Sequence, residues 1–473
     1  MSLGQVLEYL SEGADEVIET SCAQIVLKGD KAYKIKKSVD YGFLDFTTPE
    51  KRRTALMREL RFNQRLSSDI YLGVEELTGE SVLVMRRFDT AGVLGEQSVR
   101  NPDWTPDLDV MRDLGHSIAR FHAASEVCQD AQHNNNIYYV IDSNCRNIEV
   151  FREELGAVAV DAYDTAMRTA YAALEADVLK RFAEGHVRHC HGDLHLGNIL
   201  IEHGKPVLFD CIEFNDRLSQ IDVLYDLAFL LMDLWVRGHE AAANLVLNVW
   251  LEQAARLEDE AEAVYAGLKL LPLYMSMRAA VRCHVSANSA NDPHGGMERA
   301  RMYLRAAQSF LDMRPLQMKA IGGLSGSGKS TRSRREAPGL GRAPGAVVLR
   351  SDEIRKRLWA CPEFESLPKD AYTPQENVRT YEHMFALAKQ VLGTGQSVIL
   401  DATFRDATWR DRCAEVAQGG GAAFSGLWLD VTADIRGQRV ALRERDASDA
   451  TPDIAEGQQA VDPSQILWQI EKA

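Results

Sequence analysis

His191-Gly192-Asp193-Leu194-His195-Leu196-Gly197-Asn198 stands just ahead of a hairpin pattern, Asn198 to Ile201 and Pro206 to Phe209 around His203-Gly204, and Asp210 follows the second strand. Moving a phosphoryl group needs a carboxylate that orients the attacking hydroxyl and two oxygen ligands that hold Mg²⁺ against the nucleotide phosphates. This spacing supplies all three: Asp193 as base, Asn198 and Asp210 as metal ligands. A second stretch, Gly323-Leu324-Ser325-Gly326-Ser327-Gly328-Lys329-Ser330, follows the apolar run Met318 to Ile321 and leads through Thr331 into a helix-compatible segment. Its glycines let backbone N–H groups turn inward around phosphates, Lys329 reaches the β- and γ-phosphates, and the Ser330 hydroxyl can ligate Mg²⁺. The expected nucleotide-binding set is therefore Gly323, Leu324, Ser325, Gly326, Ser327, Gly328, Lys329, Ser330 and Thr331. Two unrelated devices for handling a phosphoryl group occupy one chain.

Length and composition agree with two units. A chain of 473 residues is too long for one hydrophobic core, and 45% apolar residues suffice to fill more than one. Lys and Arg number 54 against 69 Asp and Glu, a net charge of −15, which argues against nucleic acid as a partner. The eight cysteines form no Cys-x-x-Cys pair, and Met1-Ser2-Leu3-Gly4 opens onto an acidic amphipathic stretch rather than an apolar signal, so a reducing, cytoplasmic setting is expected. His189, Cys190 and His191 are neighbours on a strand pattern, where adjacent side chains point to opposite faces; no zinc site is expected there. No apolar run reaches the roughly 20 residues that span a bilayer. Even Leu224 to Trp235 is broken by Asp226 and Asp233. Oligomeric state has no signal in the sequence.

Along the chain a β-rich segment precedes a helical one. Gln24 to Leu27 and Ala32 to Lys37 flank the turn dipeptide Gly29-Asp30; Pro49 opens a charged helix carrying Leu56, Glu59, Leu60 and Phe62; Ser81 to Met85 reads as a third strand. Leu108 to Ala124 and Val158 to Phe182 read as long helices, and Ile221 to Ser286 as almost wholly helical. The helix around Met297 to Met313 stops at Pro315, which places a domain boundary there. Beyond it strands and helices alternate: Met318 to Ile321, Ala346 to Leu349, a helix from Pro374 to Leu392, Ser397 to Leu400, Phe424 to Leu429 and a helix from Ala433 to Arg445. That alternation predicts a parallel sheet covered by helices. Gly339 to Gly345 is expected to be a flexible loop.

His191 to Asn198, with Asp210, resembles the aminoglycoside phosphotransferase family, whose members share the protein-kinase-like fold and carry His-Gly-Asp-Leu-His-x-x-Asn. The resemblance covers roughly residues 20 to 290. It implies Asp193 as base, Asn198 and Asp210 as magnesium ligands, and a strand lysine paired with a helix glutamate to hold the α- and β-phosphates. Lys34 and Lys36 face the same way on their strand; Lys34 with Glu59 is favoured and Lys36 stays open. Glu213 is a nearby acid without an assigned role, and Asp222 and Asp226, matching the family's Asp-x-x-x-Asp, are read mainly as structural. Two departures stand out: the segment Thr20 to Ala23 has no glycine to clamp phosphates, and no acidic pocket for ammonium-rich antibiotics can be located.

The second half, roughly residues 318 to 473, resembles the P-loop kinases of the nucleotide-, gluconate- and zeta-toxin-like group. The resemblance implies Asp352 as the residue that orients or deprotonates the acceptor, Asp401 as support for the metal, and Arg439 and Arg443, among Arg436, Arg439, Arg443 and Arg445, as lid arginines. The expected fold is thus a bilobal protein-kinase-like unit over 1–315 (N-lobe to about 88, helical C-lobe from about 89), of α+β class, followed by a P-loop α/β unit over 316–473. The expected activity is bifunctional, each unit transferring the γ-phosphoryl of ATP, with GTP as an alternative, to a hydroxyl of a small molecule (a sugar, aminoglycoside-like compound or other alcohol) with Mg²⁺. The competing expectations are one active kinase regulated by a nucleotide-sensing partner domain, and a kinase acting on a protein or toxin-related target.

Overall fold

The computed structural model describes residues 3–20, 22–40, 44–130, 136–258, 261–289, 292–443 and 446–472. Arg445 and Ser21, both within segments weighed above, lie outside these residues.

The N-lobe is a five-stranded antiparallel sheet of β1 (Glu16–Glu19), β2 (Ala23–Lys28), β3 (Lys31–Lys36), β4 (Tyr71–Leu77) and β5 (Glu80–Arg86), in the order β1-β2-β3-β5-β4. Between β3 and β4 the helix Pro49–Ser67 starts where Thr48 accepts a bond from the Lys51 N–H and Pro49 fills the first helical position. Its buried residues Leu56, Glu59 and Phe62 recur at helical spacing, so the apolar face that packs on the sheet also carries a carboxylate inward.

The C-lobe is helical. Two short antiparallel pairs cross it: β6 (Val187–His189) with β9 (Gln220–Asp222), and β7 (Ile199–Glu202) with β8 (Lys205–Leu208). Every residue from Val223 to Leu234 in the helix Val223–Val236 is buried, including Asp226 and Asp233, which makes it the central support of the lobe. No helix among the described residues is long and apolar enough to cross a membrane.

The last part is a parallel sheet of β10 (Gln317–Gly323), β11 (Val347–Arg350), β12 (Val398–Asp401), β13 (Ala423–Asp430) and β14 (Gln469–Lys472), in the order β11-β12-β10-β13-β14. Its edge strand β11 is covered by the C-lobe helix Glu240–Leu257. Asn244 Nδ2 donates to the carbonyls of Pro344 and Ala346, both at 2.9 Å, and Asn248 Oδ1 accepts from the Val348 N–H at 2.7 Å. Two amides thereby satisfy the edge of a neighbouring sheet. One apolar core runs through this contact, from Leu114 and Val249 to Met318 and Val347.

Some expectations need correction. Ile221 belongs to β9, so the helical run starts at Val223. The loop Gly339 to Gly345 is tied down: Arg342 donates to the carbonyls of Thr394 at 2.8 Å and Leu268 at 3.2 Å, and the Gln396 amide donates back to the Arg342 carbonyl at 3.1 Å. Glycine there serves a sharp path against the C-lobe rather than freedom. Strands β1, β4 and β14 carried no clear sequence pattern, whereas the helix Asn136–Glu149 was missed although Ile137, Val140, Ile141, Cys145 and Ile148 recur at helical spacing.

Candidate active sites

In the first site, the loop holding Asp193 is fixed from behind. Asp226 accepts from the backbone N–H groups of His191 (3.1 Å) and Gly192 (2.8 Å), and His122 Nε2 lies 3.1 Å from the same carboxylate. Trp250 Nε1 donates to His122 Nδ1 at 3.1 Å, which leaves the Nε2 proton for Asp226. Asp233 accepts from the Leu196 N–H at 3.1 Å, and Arg278 donates to the Gly192 carbonyl at 3.0 Å. Gly192 has φ 83°, and a Cβ there would lie 2.8 Å from the Leu218 carbonyl, so no other residue fits this turn. The Asp222 and Asp226 pair is structural, with Asp226 as the loop anchor; Asp233 and Arg278 are further anchors that sequence reading did not single out.

Asn198 Nδ2 donates to both the carbonyl and the carboxylate of Asp193, each at 2.9 Å, and the amide oxygen takes no part in either bond. Burial alone would raise the Asp193 pKa, but His195, whose Nε2 is 3.4 Å from Oδ2, with His191 and Arg278, outweighs it and holds the carboxyl below the ordinary aspartate range. It is ionised at neutral pH.

Across the cleft, Lys34 Nζ is 2.6 Å from Glu59 Oε1 and 3.1 Å from Asp210 Oδ1; Lys36 Nζ is 2.7 Å from Glu59 Oε2 and 2.6 Å from Glu213 Oε1. The two candidate lysines are therefore distinguished by their second partner. Burial would depress the Lys34 ammonium, yet Asp210 and Glu59 raise its pKa well above the lysine range. Asp210 sits at φ 63°, a left-handed position that costs a non-glycine residue roughly 1 kcal/mol or more, and its N–H donates to Tyr71 Oη at 3.1 Å. Its side chain is half-exposed.

The second site is a cavity of about 550 Å³ lined by Ser325 to Thr331, Asp352, Asp401, Arg439 and Arg443, so those expected residues converge. A Cβ on Gly326, at φ 84°, would strike the Arg436 carbonyl at 2.5 Å, which restricts this loop position to glycine. Lys329 Nζ donates to the Leu324 carbonyl at 3.1 Å. Its pKa is lowered by burial in spite of Asp401 and Asp352, while burial raises Asp352 against the pull of Arg350 and Lys329. Asp401 Oδ2 is buried and accepts no hydrogen bond, with the Arg350 guanidinium 3.4 Å away. Arg439 Nη1 reaches the Ser327 carbonyl at 3.4 Å, and Arg443 Nη1 is buried without a hydrogen-bond partner among the described residues. Arg436 differs from the expectation: it is buried and donates to the Ala455 and Gln458 carbonyls, joining two helices instead of facing the cavity.

Arg350 was missed. It pairs with Glu353 at 2.6 Å and Asp446 at 2.9 Å beside Asp401, and only its place at the end of β11, opposite Asp401 in register, could have signalled this.

A family model described as "Phosphotransferase enzyme family" matches residues 46–266, and one described as "AAA domain" matches residues 318–461. An uncharacterized protein of Mycobacterium tuberculosis (strain ATCC 25618 / H37Rv) is 31% identical over 465 residues, covering 93% of this chain and 88% of the relative; one of Mycobacterium bovis (strain ATCC BAA-935 / AF2122/97) matches equally. Among solved structures, a choline kinase from Cryptosporidium parvum Iowa II is similar with a TM-score of 0.43 and 13% identity, over 64% of this chain and 94% of that one. An amicoumacin kinase in complex with AMP-PNP, Ca²⁺ and Ami is similar with a TM-score of 0.40 and 12% identity, over 66% and 94%.

Proposed function

The chain belongs to the same family as its mycobacterial relatives and is a kinase that joins a phosphotransferase enzyme domain to a P-loop AAA domain, and from that premise we propose that both halves are active on small-molecule hydroxyls. The units are residues 1–315 and 316–473. One observation carries the reading: each signature gathers its own lysine and its own carboxylates, Lys34 with Glu59 and Asp210, to which His191 of the Asp193 loop is tied through the adjacent Phe209 carbonyl at 2.9 Å, and Lys329 with Asp352 and Asp401 in another place.

The donor is ATP, with GTP as the alternative. Lys34, held by Glu59, grips the α- and β-phosphates, and the ionised Asp193 accepts a hydrogen bond from the acceptor hydroxyl. As that oxygen bonds to the γ-phosphorus and the bond to the nucleoside diphosphate breaks, the hydroxyl proton passes to Asp193. In the second half Lys329 leaves the Leu324 carbonyl for the β- and γ-phosphates, Asp352 orients the acceptor, and Arg439 and Arg443 offset charge on the transferring group.

The donor sets fit Mg²⁺. A half-exposed Asp210 carboxylate and the Asn198 amide oxygen are hard oxygen ligands, and Asp401 Oδ2, which accepts no hydrogen bond among the described residues and has only an ion-pair contact with Arg350, lines the same cavity as Ser330 and offers a buried oxygen to a cation or its water. The ion, when bound, would screen the phosphate oxygens as charge develops. All eight cysteines are unpaired, in line with a reducing compartment such as the cytoplasm.

The test is nucleotide stoichiometry. Full-length protein is expected to bind two equivalents of AMP-PNP with Mg²⁺, and Lys34→Ala and Lys329→Ala one each; a single equivalent in the unmodified protein would refute the two-site reading.

A further inference from the structure

A cavity of about 500 Å³ lies between the two halves, bounded on one side by the helices Leu108–Ala124 and Glu240–Leu257 and on the other by the helix Lys329–Glu336 and strand β11. It shares Thr331, Arg334, Arg335 and Arg350 with the P-loop cavity, and these four side chains form the partition between the chambers. Arg112, from the N-terminal half, faces the same space. Among the described residues, Arg112, Arg334 and Arg335 make no hydrogen bond or ion pair. Burial, with Arg350 and Arg112 close by, lowers the Arg334 pKa, so this guanidinium lies where water compensates it poorly.

The carboxylates at the cavity do not cancel these charges. Glu252 is taken by Arg256 at 3.1 Å and Arg357 at 2.5 Å, and Glu353 by Arg350 at 2.6 Å. Glu363 faces His116 Nε2 at 3.4 Å, and burial pushes its carboxyl up to about 7. Among the described residues that line the cavity, the exposed Asp109 and a partly protonated Glu363 are left against Arg112, Arg334 and the exposed Arg335. Leu245, Val249 and Val348 supply an apolar wall.

We infer that this cavity is the acceptor pocket of the C-terminal kinase and takes the oxyanion of an alcohol that carries a phosphate or carboxylate as well as the hydroxyl to be phosphorylated. Arg334 and Arg335 lie in the second turn of the helix that Lys329 opens, and Arg112 reaches in from the facing wall, so guanidiniums approach one ligand from two sides, the arrangement that suits bidentate oxyanion binding. The hydroxyl end would then lie toward Asp352 in the adjoining chamber. A neutral or ammonium-bearing acceptor would leave the poorly hydrated Arg334 and the half-buried Arg112 without a counter-charge. The pocket is incomplete without the N-terminal half, which gives the fusion a structural reason. The inference rests on the C-terminal half being a kinase.

Calorimetry on the full chain separates the two claims. Protein saturated with Mg²⁺ and AMP-PNP is titrated with orthophosphate and, in a second arm, with succinate, which binds Mg²⁺ only weakly, to distinguish phosphate from carboxylate. At least one oxyanion is expected to bind, and Arg112→Gln and Arg335→Gln, the one half-buried and the other exposed so that both tolerate exchange, are each expected to weaken it by about tenfold or more with AMP-PNP stoichiometry unchanged. No binding in either arm, binding indifferent to both variants, or binding that displaces one AMP-PNP overturns the inference. If instead Lys329→Ala loses no AMP-PNP equivalent, the kinase reading fails and the inference falls with it.

Discussion

Lys34 and Lys36 hold opposite oxygens of one buried carboxylate, Glu59, at 2.6 and 2.7 Å. Their other partners set their tasks apart: Lys34 reaches the half-exposed Asp210, whereas Lys36 is 2% exposed and closes on the buried Glu213. Lys36→Met would leave two carboxylates facing each other in a buried space. It is expected to lower stability by about 3–5 kcal/mol, the usual result of removing one member of a buried ion pair. Lys34→Met should chiefly remove nucleotide affinity. Urea unfolding and AMP-PNP titration of both variants check the division; a Lys36→Met protein with the unmodified urea midpoint would count against it.

Asp193→Asn tests the base. Asn198 still finds the backbone carbonyl of residue 193, and the Asp226 bonds to the loop are untouched, so the fold around the site should persist. Transfer by the N-terminal site is expected to fall by on the order of 10²- to 10⁴-fold while nucleotide binding stays nearly intact. Rates within a few-fold of the unmodified protein would remove Asp193 from the role.

Glu363 makes stability depend on pH. Burial, reinforced by the nearby Glu353 charge, lifts its pKa from 4.5 to about 7 in the folded chain. A carboxyl that keeps its proton more tightly when folded stabilises fully below the unfolded value, and that contribution disappears as pH rises through 7. At 1.36 kcal/mol per unit the span is on the order of 3 kcal/mol. Glu363→Gln is therefore expected to raise the urea midpoint at pH 8 and leave it nearly unchanged at pH 4; equal midpoints at both pH values would show that the carboxyl titrates normally.

Sequence legibility followed burial. The three strands without a clear pattern, β1, β4 and β14, are all sheet edges, where Glu16, Glu75, Glu76 and Gln469 meet solvent and erase the apolar alternation that marked β3 and β10. The loop proposed as catalytic was legible because its pattern is local: Asp193, Asn198 and Asp210 lie close in sequence. Arg278 and Arg350 were not, since Arg278 bonds the distant Gly192 and Tyr225 carbonyls and Arg350 faces the distant Asp401 and Asp446, and a lone arginine on a helix or strand has no pattern of its own. Lys34 and Lys36 could not be ranked because strand period places both on one face; only the positions of Asp210 and Glu213 separate them.

The final expectation concerns whether the two sites act alone. Asn244 and Asn248 bond the C-lobe to β11, and Arg112 enters the C-terminal pocket, so a mechanical connection exists. Arg112 nevertheless stands outside the cluster of Lys34, Glu59 and Asp210, and under the proposed function each site has its own base, metal ligand and phosphate-binding lysine. A shared wall need not alter either equilibrium unless nucleotide binds one arrangement of it better than another. Lys329→Ala should thus silence the C-terminal site and leave Asp193-dependent transfer close to normal, and Asp193→Asn should do the reverse. Coupling, where present, typically amounts to about 1–3 kcal/mol, or roughly 5- to 150-fold in affinity. AMP-PNP affinity at the N-terminal site, measured by calorimetry in the Lys329→Ala background, decides the matter: a shift beyond about tenfold would replace independence with regulation of one half by the other.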